Sequence, residues 1–565
     1  MEPRQKTIEQ WFSVIETGGM KLPRFQRGEA WRHNQIVGLF ENVLRKPPLP
    51  VGTLLTLDVG SRERFKSRPI VGAPDKGEKP NLHLLDGQQR MTALWRALTD
   101  DYDDLTIFVS LRDREEDEEA DDDVRAADQP ALQKVRRWDR KGVRQPRWAD
   151  DPKDCFERGL IPLRHFRPGA EGEAALKAWF DTLREADAGA DPFIGRAYEL
   201  RSRLSSYIIP FLSLGADTSR ATALDVFIKM NTSASPLKDF DIVTAQMEDA
   251  GHSLHDMISE LKAAQPAATE FGRIEDIVLS VGALVSGQPP LKKTYLDPLF
   301  SKGLGDNWPL VMNGVRRGLD FVQNEGIYGE KCLPGETGVY LACALWADVP
   351  DHGLDQEGNA RSLIRKVLWR AFYTERYGKT SATRSFADYK VLRGMVAGES
   401  EGECELFDGS TYPLPTVEEI ELAGWPGRKD RLPRATLATA LRKGGDDFAD
   451  GAPASTANVR SREYHHIYPV DVLGGDRKDE RVARAMNCAL ITWRTNRNIA
   501  AKTPEAYIKA RAEAASLGKD EVRSRLASHL IPYESLVAGD YEVFLRERAK
   551  LIHSRMTLLC AGKNP

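Results

Sequence analysis

The stretch NLHLLDGQQRMTALWRAL, from Asn81 to Leu98, constrains the fold more than any other. It reads as a strand, a tight turn at Asp86-Gly87 and a helix beginning near Gln88. A chain carrying such a corner needs a mixed α and β domain around it. The corner also suits chemistry. Glycine at the mouth of a helix lets backbone N–H groups approach a phosphate, and the helix dipole favours an anion there. Arg90 adds a fork-shaped phosphate donor, and Asp86 suits a metal ion or a ribose hydroxyl. Any strand–turn–helix corner can carry Asp-Gly, so this block alone fits a plain turn with a solvated arginine equally well.

Around it, Thr7–Thr17 has helical apolar spacing through Ile8, Trp11, Phe12 and Ile15. Glu29–Leu44 resumes a helix after Pro23, and Gly52–Val59 alternates like a strand. Glu199–Leu214 holds the apolar run RLSSYIIPFLSL, read as a core strand, and Ser219–Lys229 follows as a helix. Ile242 to about Ala264 looks helical, as do Ile274–Val285, Trp308–Val322, Val339–Ala347 and Arg361–Tyr377, punctuated by Gly and Pro. A chain of 565 residues is too long for one core, which predicts about two to four domains.

Composition enters mainly through what it excludes. The formal net charge of −4 provides no global basic field, so nucleic-acid contact must come from local patches. The six cysteines are scattered without a C-x-x-C, which argues against a cysteine zinc site or a disulfide framework. MEPRQKTIEQWF lacks an apolar signal region and no apolar run is long enough to span a membrane, so a reduced cytoplasm is expected.

Local patches do exist. Asp113–Asp123 is an acidic run, read as solvated surface, and Lys134–Trp148 interleaves basic residues with Trp138 and Trp148. Arg376, Lys379 and Arg384 form a basic patch for which phosphate contact and compensation of a helix C-terminus are equally good readings. Glu399–Pro415 is acidic and turn-rich and reads as a linker. Gly427–Gly444, which includes Arg428, Lys429 and Arg431, is expected to form part of a DNA-binding surface.

The second landmark is REYHHIYPVDVL, Arg462–Leu473, followed downstream by Asn487 and Asn496. Adjacent histidines, a following proline and two asparagines suit a one-metal nuclease. There a general base activates water while a metal stabilises charge on the phosphate and the leaving oxygen. His466 would be the base, His465 a metal ligand and Asn496 an oxygen-donating ligand. Two ordinary strand histidines would account for the dipeptide but not for the extended pattern.

This pattern resembles the HNH (ββα-metal) endonucleases, in the variant where His-x-x-Pro is followed by two asparagines. The resemblance implies that His465 and Asn496 bind the metal and that Asn487 fixes the loop orienting the base. The interval of nine positions from Asn487 to Asn496 (496 − 487) equals that in the HNH domains of RNA-guided effectors. Many relatives carry Asp where His465 stands, and Asn498 competes for the role given to Asn496. At the other end, three blocks resemble the GmrS-like N-terminal domain of GmrSD-type modification-dependent restriction enzymes, related to the ParB nucleotide-binding fold. They are Pro23/Gln26/Arg27/Trp31, then Asp86, Gly87, Gln88, Gln89 and Arg90, then Phe227/Asn231/Thr232. In that family the blocks surround a nucleotide pocket, and NTP binding or hydrolysis stimulates the nuclease. Ser233-Ala234-Ser235 stand here where relatives often have glycine.

The resemblance therefore implies an α+β, multidomain protein. A ParB-like α/β sensor domain would occupy residues 1–250, a mostly helical connecting region 251–415, and a GmrD-like HNH domain within a helical C-terminal region 416–565. The implied activity is nucleotide-regulated cleavage of modified double-stranded DNA, for example glucosylated hydroxymethylcytosine DNA, in anti-phage defence. Mg²⁺ (or Mn²⁺) and an NTP would be the cofactors, and a homodimer is a reasonable arrangement for double-strand cutting. Two other readings stay open at this point. One is a phosphorothioate-sensing DNA-nicking effector, with Phe25, Gln26 and Arg27 lining a sulfur pocket. The other is a nucleotide-controlled DNA-binding switch with an inactive HNH site.

Overall fold

A computed structural model describes residues 2–26, 28–29, 31–61, 63–111, 130–136, 147–186, 189–230, 238–350, 354–399, 402–428, 430–476, 479–492, 495, 502–514 and 518–565. The acidic run at 113–123 therefore lies outside the described residues, as do Arg27, Asn231, Thr232, Lys429, Asn496 and Asn498. Among the described residues, no helix is long and apolar enough to cross a membrane.

The chain is a mixed α and β protein that divides into two compact units, Met1–Asp241 and Ile242–Pro565. In the first, a six-stranded sheet has the order β1-β9-β3-β5-β2-β4. These strands are β1 (Glu2–Thr7), β2 (Met20–Pro23), β3 (Leu54–Asp58), β4 (Ser67–Arg68), β5 (Leu82–Asp86) and β9 (Ile208–Leu214). The β2–β5 and β3–β9 pairs are parallel, and β1–β9 and β3–β5 are antiparallel. A smaller sheet has the order β7-β6-β8, from β6 (Leu105–Ser110), β7 (Leu132–Arg136) and β8 (Leu160–Pro162).

Helix α1 (Ile8–Glu16) starts at a capping box. The Gln10 backbone N–H donates to Thr7 Oγ1, and Gln10 Oε1 accepts from the Thr7 N–H. Its apolar face is the one expected, with Ile8, Trp11, Phe12 and Ile15 buried. Trp11 meets Phe211 of β9 edge-on at 5.0 Å, and Phe12 stacks on Trp95 at 5.0 Å. Full burial of side chains of this size stabilises by about 1.5–3 kcal/mol each, so this helix is a principal clamp on the sheet. Helix α3 (Gln88–Thr99) supplies Trp95 and runs directly out of β5.

Several boundaries differ from the sequence reading. Helix α2 (His33–Leu44) begins four positions later than Glu29, because the Trp31 N–H is drawn to Gln89 Oε1 at 3.1 Å. The run RLSSYIIPFLSL is not one strand. Its first residues end the helix Asp191–Ser206, and β9 starts only at Ile208, after Tyr207. The Tyr207 hydroxyl donates to Leu49 O at 2.7 Å and fixes that turn. Trp148 is half-buried, with its ring against Phe108 at 4.9 Å and Arg158 over it at 4.6 Å, so it is engaged within the fold.

The second unit is mostly helical. Gly314 and Gly318 lie one turn apart on the helix Trp308–Asn324 and face Cys343 of the helix Glu336–Ala347. A Cβ on Gly318 would lie 2.5 Å from Cys343 Cα, so glycine is what lets these two helices touch. The helical segment from Ile242 breaks at residues 250–253, where Gly251 has φ +88°. Glu399–Pro415 is not a free linker. Leu406 is fully buried, and its carbonyl accepts from Arg370 Nε at 2.7 Å. The unit's only described strands, β10 (Arg462–His466) and β11 (Cys488–Thr492), pair antiparallel with His465 opposite Ala489 and His466 opposite Cys488. The helix Tyr541–Cys560 buries one face, from which Arg548 reaches this hairpin. Arg548 donates from it to Met486 O at 2.7 Å, Cys488 O at 2.9 Å and His529 O at 3.0 Å.

Candidate functional site

At the N-terminal corner, β5 ends on Asp86, and Gly87 caps α3 with φ +95°. A Cβ at Gly87 would overlap Leu54 Cδ2, so conformation and space both require glycine. Gly87 makes no side-chain cap to α3.

The first and second blocks are joined here by hydrogen bonds, those of Gln26 buried. Gln26 Nε2 donates to Leu84 O at 2.6 Å and Leu85 O at 3.0 Å, both on β5 just before Asp86. Gln89 Oε1 accepts from the Trp31 N–H, and Gln89 Nε2 donates to Gly28 O at 3.1 Å. The third block arrives through Phe227, whose ring lies 5.1 Å from Phe25, and Phe25 also meets Phe65 at 5.2 Å. Gln88 is buried at the start of the helix.

Arg90 is not a solvated arginine. Its Nη1 donates to Val51 O at 2.9 Å, and its Nη2 to Thr53 O at 3.0 Å and Asp86 Oδ2 at 3.2 Å. Burial lowers the Arg90 pKa, and the charge of Asp86 opposes that shift. Arg90 thus ties the loop before β3 to the corner. Sequence reasoning missed Phe65, the 51–53 segment and His83. Nothing in their local sequence marks them, because their role comes from packing against the blocks. His83 is fully buried on β5, 3.6 Å from Glu63, and burial holds its pKa down to about 4.

In the second unit, His465 and His466 end β10. His465 is buried and meets Phe448 edge-on at 6.5 Å. His466 is half-buried and lies flat on Trp425, with centroids 4.0 Å apart and planes 12° apart. Asn487 is fully buried at the start of β11 and holds the turn that follows His466. Its Oδ1 accepts from the Tyr468 N–H at 2.8 Å, while Nδ2 donates to Tyr468 O and Val482 O, each at 3.2 Å. Its backbone carbonyl accepts from the Ile467 N–H at 2.9 Å. Asn487 therefore grips both residues after the histidine pair.

Asp447 was not anticipated. It is fully buried and accepts from the Thr492 N–H at 2.7 Å and Thr495 Oγ1 at 2.6 Å, immediately before position 496. Burial opposes its ionisation, but hydrogen bonds from Thr495, Thr492 and Ala449 outweigh that and lower its pKa. Arg462 and Arg548 are buried and held by backbone carbonyls, including those of the hairpin; burial lowers the pKa of both, Arg548 to about 10. Among the described residues, no group of three or more His, Cys, Asp or Glu side chains could hold a metal ion.

The basic candidates separate. Arg376 is buried against Asp388 in a two-pronged ion pair, Nη2–Oδ1 2.8 Å and Nε–Oδ2 2.9 Å, and also pairs with Glu405. It is a structural residue and not a surface phosphate donor, because its donors are already used inside the fold. Lys379 is exposed, and Arg384 donates to Arg376 O. Arg431 pairs with Glu375, and both line a cavity of about 670 Å³ with Tyr377 and Gly378. The side chain of Arg428 lies outside the described residues.

With this geometry in place, the comparisons are informative. Residues 8–248 match the family model for the GmrSD restriction endonuclease, N-terminal domain, a span that contains all three N-terminal blocks. The matched family is one of restriction endonucleases, which points to a component of a GmrSD-type restriction system, to nuclease activity and to DNA as partner. Over 558 aligned residues the chain is 22% identical to an uncharacterized protein of Methanocaldococcus jannaschii, covering 92% of this chain and 90% of that protein.

Proposed function

We propose that the protein is a nucleotide-regulated, metal-dependent HNH endonuclease that cleaves chemically modified DNA in anti-phage defence. The observation that carries the nuclease half is the Asn487 clamp on the turn directly after His466. A hairpin that ends in a histidine and whose following turn is fixed by a buried asparagine is suited to presenting a general base. The sensor half is supported by the family match over 8–248 and by the joining of the N-terminal blocks around Asp86.

In this reading His466 takes a proton from water as its oxygen attacks phosphorus, the scissile P–O bond breaks, and the leaving oxygen departs and is protonated from solvent. Arg462 and Arg548 hold backbone carbonyls of the hairpin, which limits reorganisation of the strand that presents the imidazole. One imidazole and one amide oxygen form a sparse donor set, which suits a hard cation that keeps most of its water. His465 and Asn496 would hold Mg²⁺ or Mn²⁺, whose chemistry is to neutralise charge on the phosphate oxygens. At the other end, Gly87, Gln88 and the N-terminus of α3 would face the phosphates of an NTP, with Asp86 beside them. Residues 1–250 would be a ParB-like sensor, 251–415 a helical connector and 416–565 the nuclease domain.

Cleavage of matched DNAs tests the whole reading: unmodified, glucosylated-hydroxymethylcytosine and phosphorothioate, with Mg²⁺ or Mn²⁺ and with or without NTP. Cutting of one modified DNA, abolished in His466→Ala and changed in its NTP response in Asp86→Ala, is the expected result. Equal cutting of all three would remove the modification-sensing half. Cutting that survives His466→Ala would remove the HNH assignment.

A further inference from the structure

We infer that Trp425 is a positioning residue for the general base: its indole face sets the ring plane of His466. The inference rests on the role proposed for His466. The two rings lie nearly parallel, 4.0 Å apart and 12° from coplanar. Tyr464, two residues earlier and so on the same face of β10, meets Trp425 edge-on at 6.4 Å. Trp425 thus occupies the His466 face of the strand, while His465 turns to Phe448.

The backbone on both sides of Trp425 is anchored. The Ala423 carbonyl accepts from the Ala485 N–H at 2.8 Å. The Pro426 carbonyl accepts from Nε of buried Arg434 at 3.0 Å, and Arg434 also grips Glu330 O at 2.8 Å. A Cβ at Gly427 would press on the indole Cδ1 and Nε1 at 3.1 Å. The backbone that carries the indole is therefore anchored independently of the histidine.

Trp425 and His466 are both half-exposed, so the stack is not required to fill the core. Its physical effect is on the terminal torsion of the histidine, which is broad and weakly determined when nothing packs against the ring. A face-on stack restricts that torsion and keeps the indole out of the in-plane directions of the ring nitrogens, although Nε2 itself is shielded from solvent here. Those are the directions along which a base must meet its water.

The test compares Trp425→Leu, Trp425→Phe and His466→Ala in the full chain. Cleavage kinetics are paired with NMR of protein labelled at the histidine ¹³Cε1 position, with the His466 signal assigned from His466→Ala. In the wild type the indole ring current should move that signal upfield. Trp425→Leu should return it downfield while leaving the other histidine signals in place. The same variant should lower kcat by about 10- to 100-fold, the scale of a small misplacement of a catalytic group, with KM for DNA little changed. Trp425→Phe, which keeps an aromatic face, should restore most of the loss. A His466 signal unmoved by Trp425→Leu, or kcat unchanged in that variant, overturns the inference. If His466→Ala abolishes cleavage and Trp425→Leu does not affect it, only the role of Trp425 falls. If His466→Ala still cuts, the base assignment falls and the inference with it.

Discussion

Replacing Asn487 with alanine should loosen the turn after the histidine pair by an amount that can be worked from its hydrogen bonds. The side chain is fully buried and makes three of them: one accepted from the Tyr468 N–H and two donated, to Tyr468 O and Val482 O. Alanine leaves the buried Tyr468 N–H without its acceptor, at a cost of about 1–3 kcal/mol. Taking about 2 kcal/mol, the opening equilibrium rises roughly thirtyfold, since each 1.4 kcal/mol is about a factor of ten. Hydrogen exchange by mass spectrometry on peptides covering Arg462–Leu473 reads this directly, and cleavage activity should fall with it. Asn487→Asp sharpens the argument. A carboxylate has no hydrogen to give Tyr468 O and Val482 O, so its folded-state pKa is raised. The deficit should then be at least as large at neutral pH and should ease as pH falls. Wild-type exchange of 462–473 in Asn487→Ala would refute the idea that this side chain holds the turn.

Gly87→Ala combines a left-handed backbone with overlap on Leu54 and should destabilise by about 1–3 kcal/mol; an unchanged urea midpoint would show the corner to be more plastic than described. Arg376→Ala leaves Asp388 buried without its cation, with the Tyr377 hydroxyl still donating to it, and should cost about 3–5 kcal/mol. Lys379→Ala should stay within about 0.5 kcal/mol, so equal thermal shifts in the two variants would contradict the assignment of Arg376 to the fold. His529 is fully buried, its Nε2 lies 2.9 Å from Asp446 O, and burial lowers its pKa to about 3 from 6.5. Below 6.5 the unfolded chain binds a proton that the folded chain does not. The stability from neutral His529 is therefore complete above pH 6.5 and is lost on acidification, at up to about 1.4 kcal/mol per pH unit. His529→Phe should lose less stability than wild type between pH 7 and pH 5 in urea titrations; identical losses would sink this account.

The sequence alone determined the features written in local order. Glycine at position 87 follows from a strand that must turn at once into a helix, and the apolar face of α1 follows from its spacing and its Thr7 cap. The histidine pair and Asn487 are written in local order, and the pairing of β10 with β11 brings Asn487 beside the residues that follow His466. Tertiary structure decided the long-range partnerships. Arg376 looked like a surface cation until Asp388 and Glu405 were seen to enclose it, and Glu399–Pro415 looked like a linker until Arg370 was seen to hold it. Trp425 reaches His466 across 41 positions (466 − 425), and Asp447 reaches Thr495 across 48. The reason is physical. Periodicity and turn chemistry act over a few residues and leave a local imprint, whereas which buried charge meets which partner depends on packing among segments far apart in the chain.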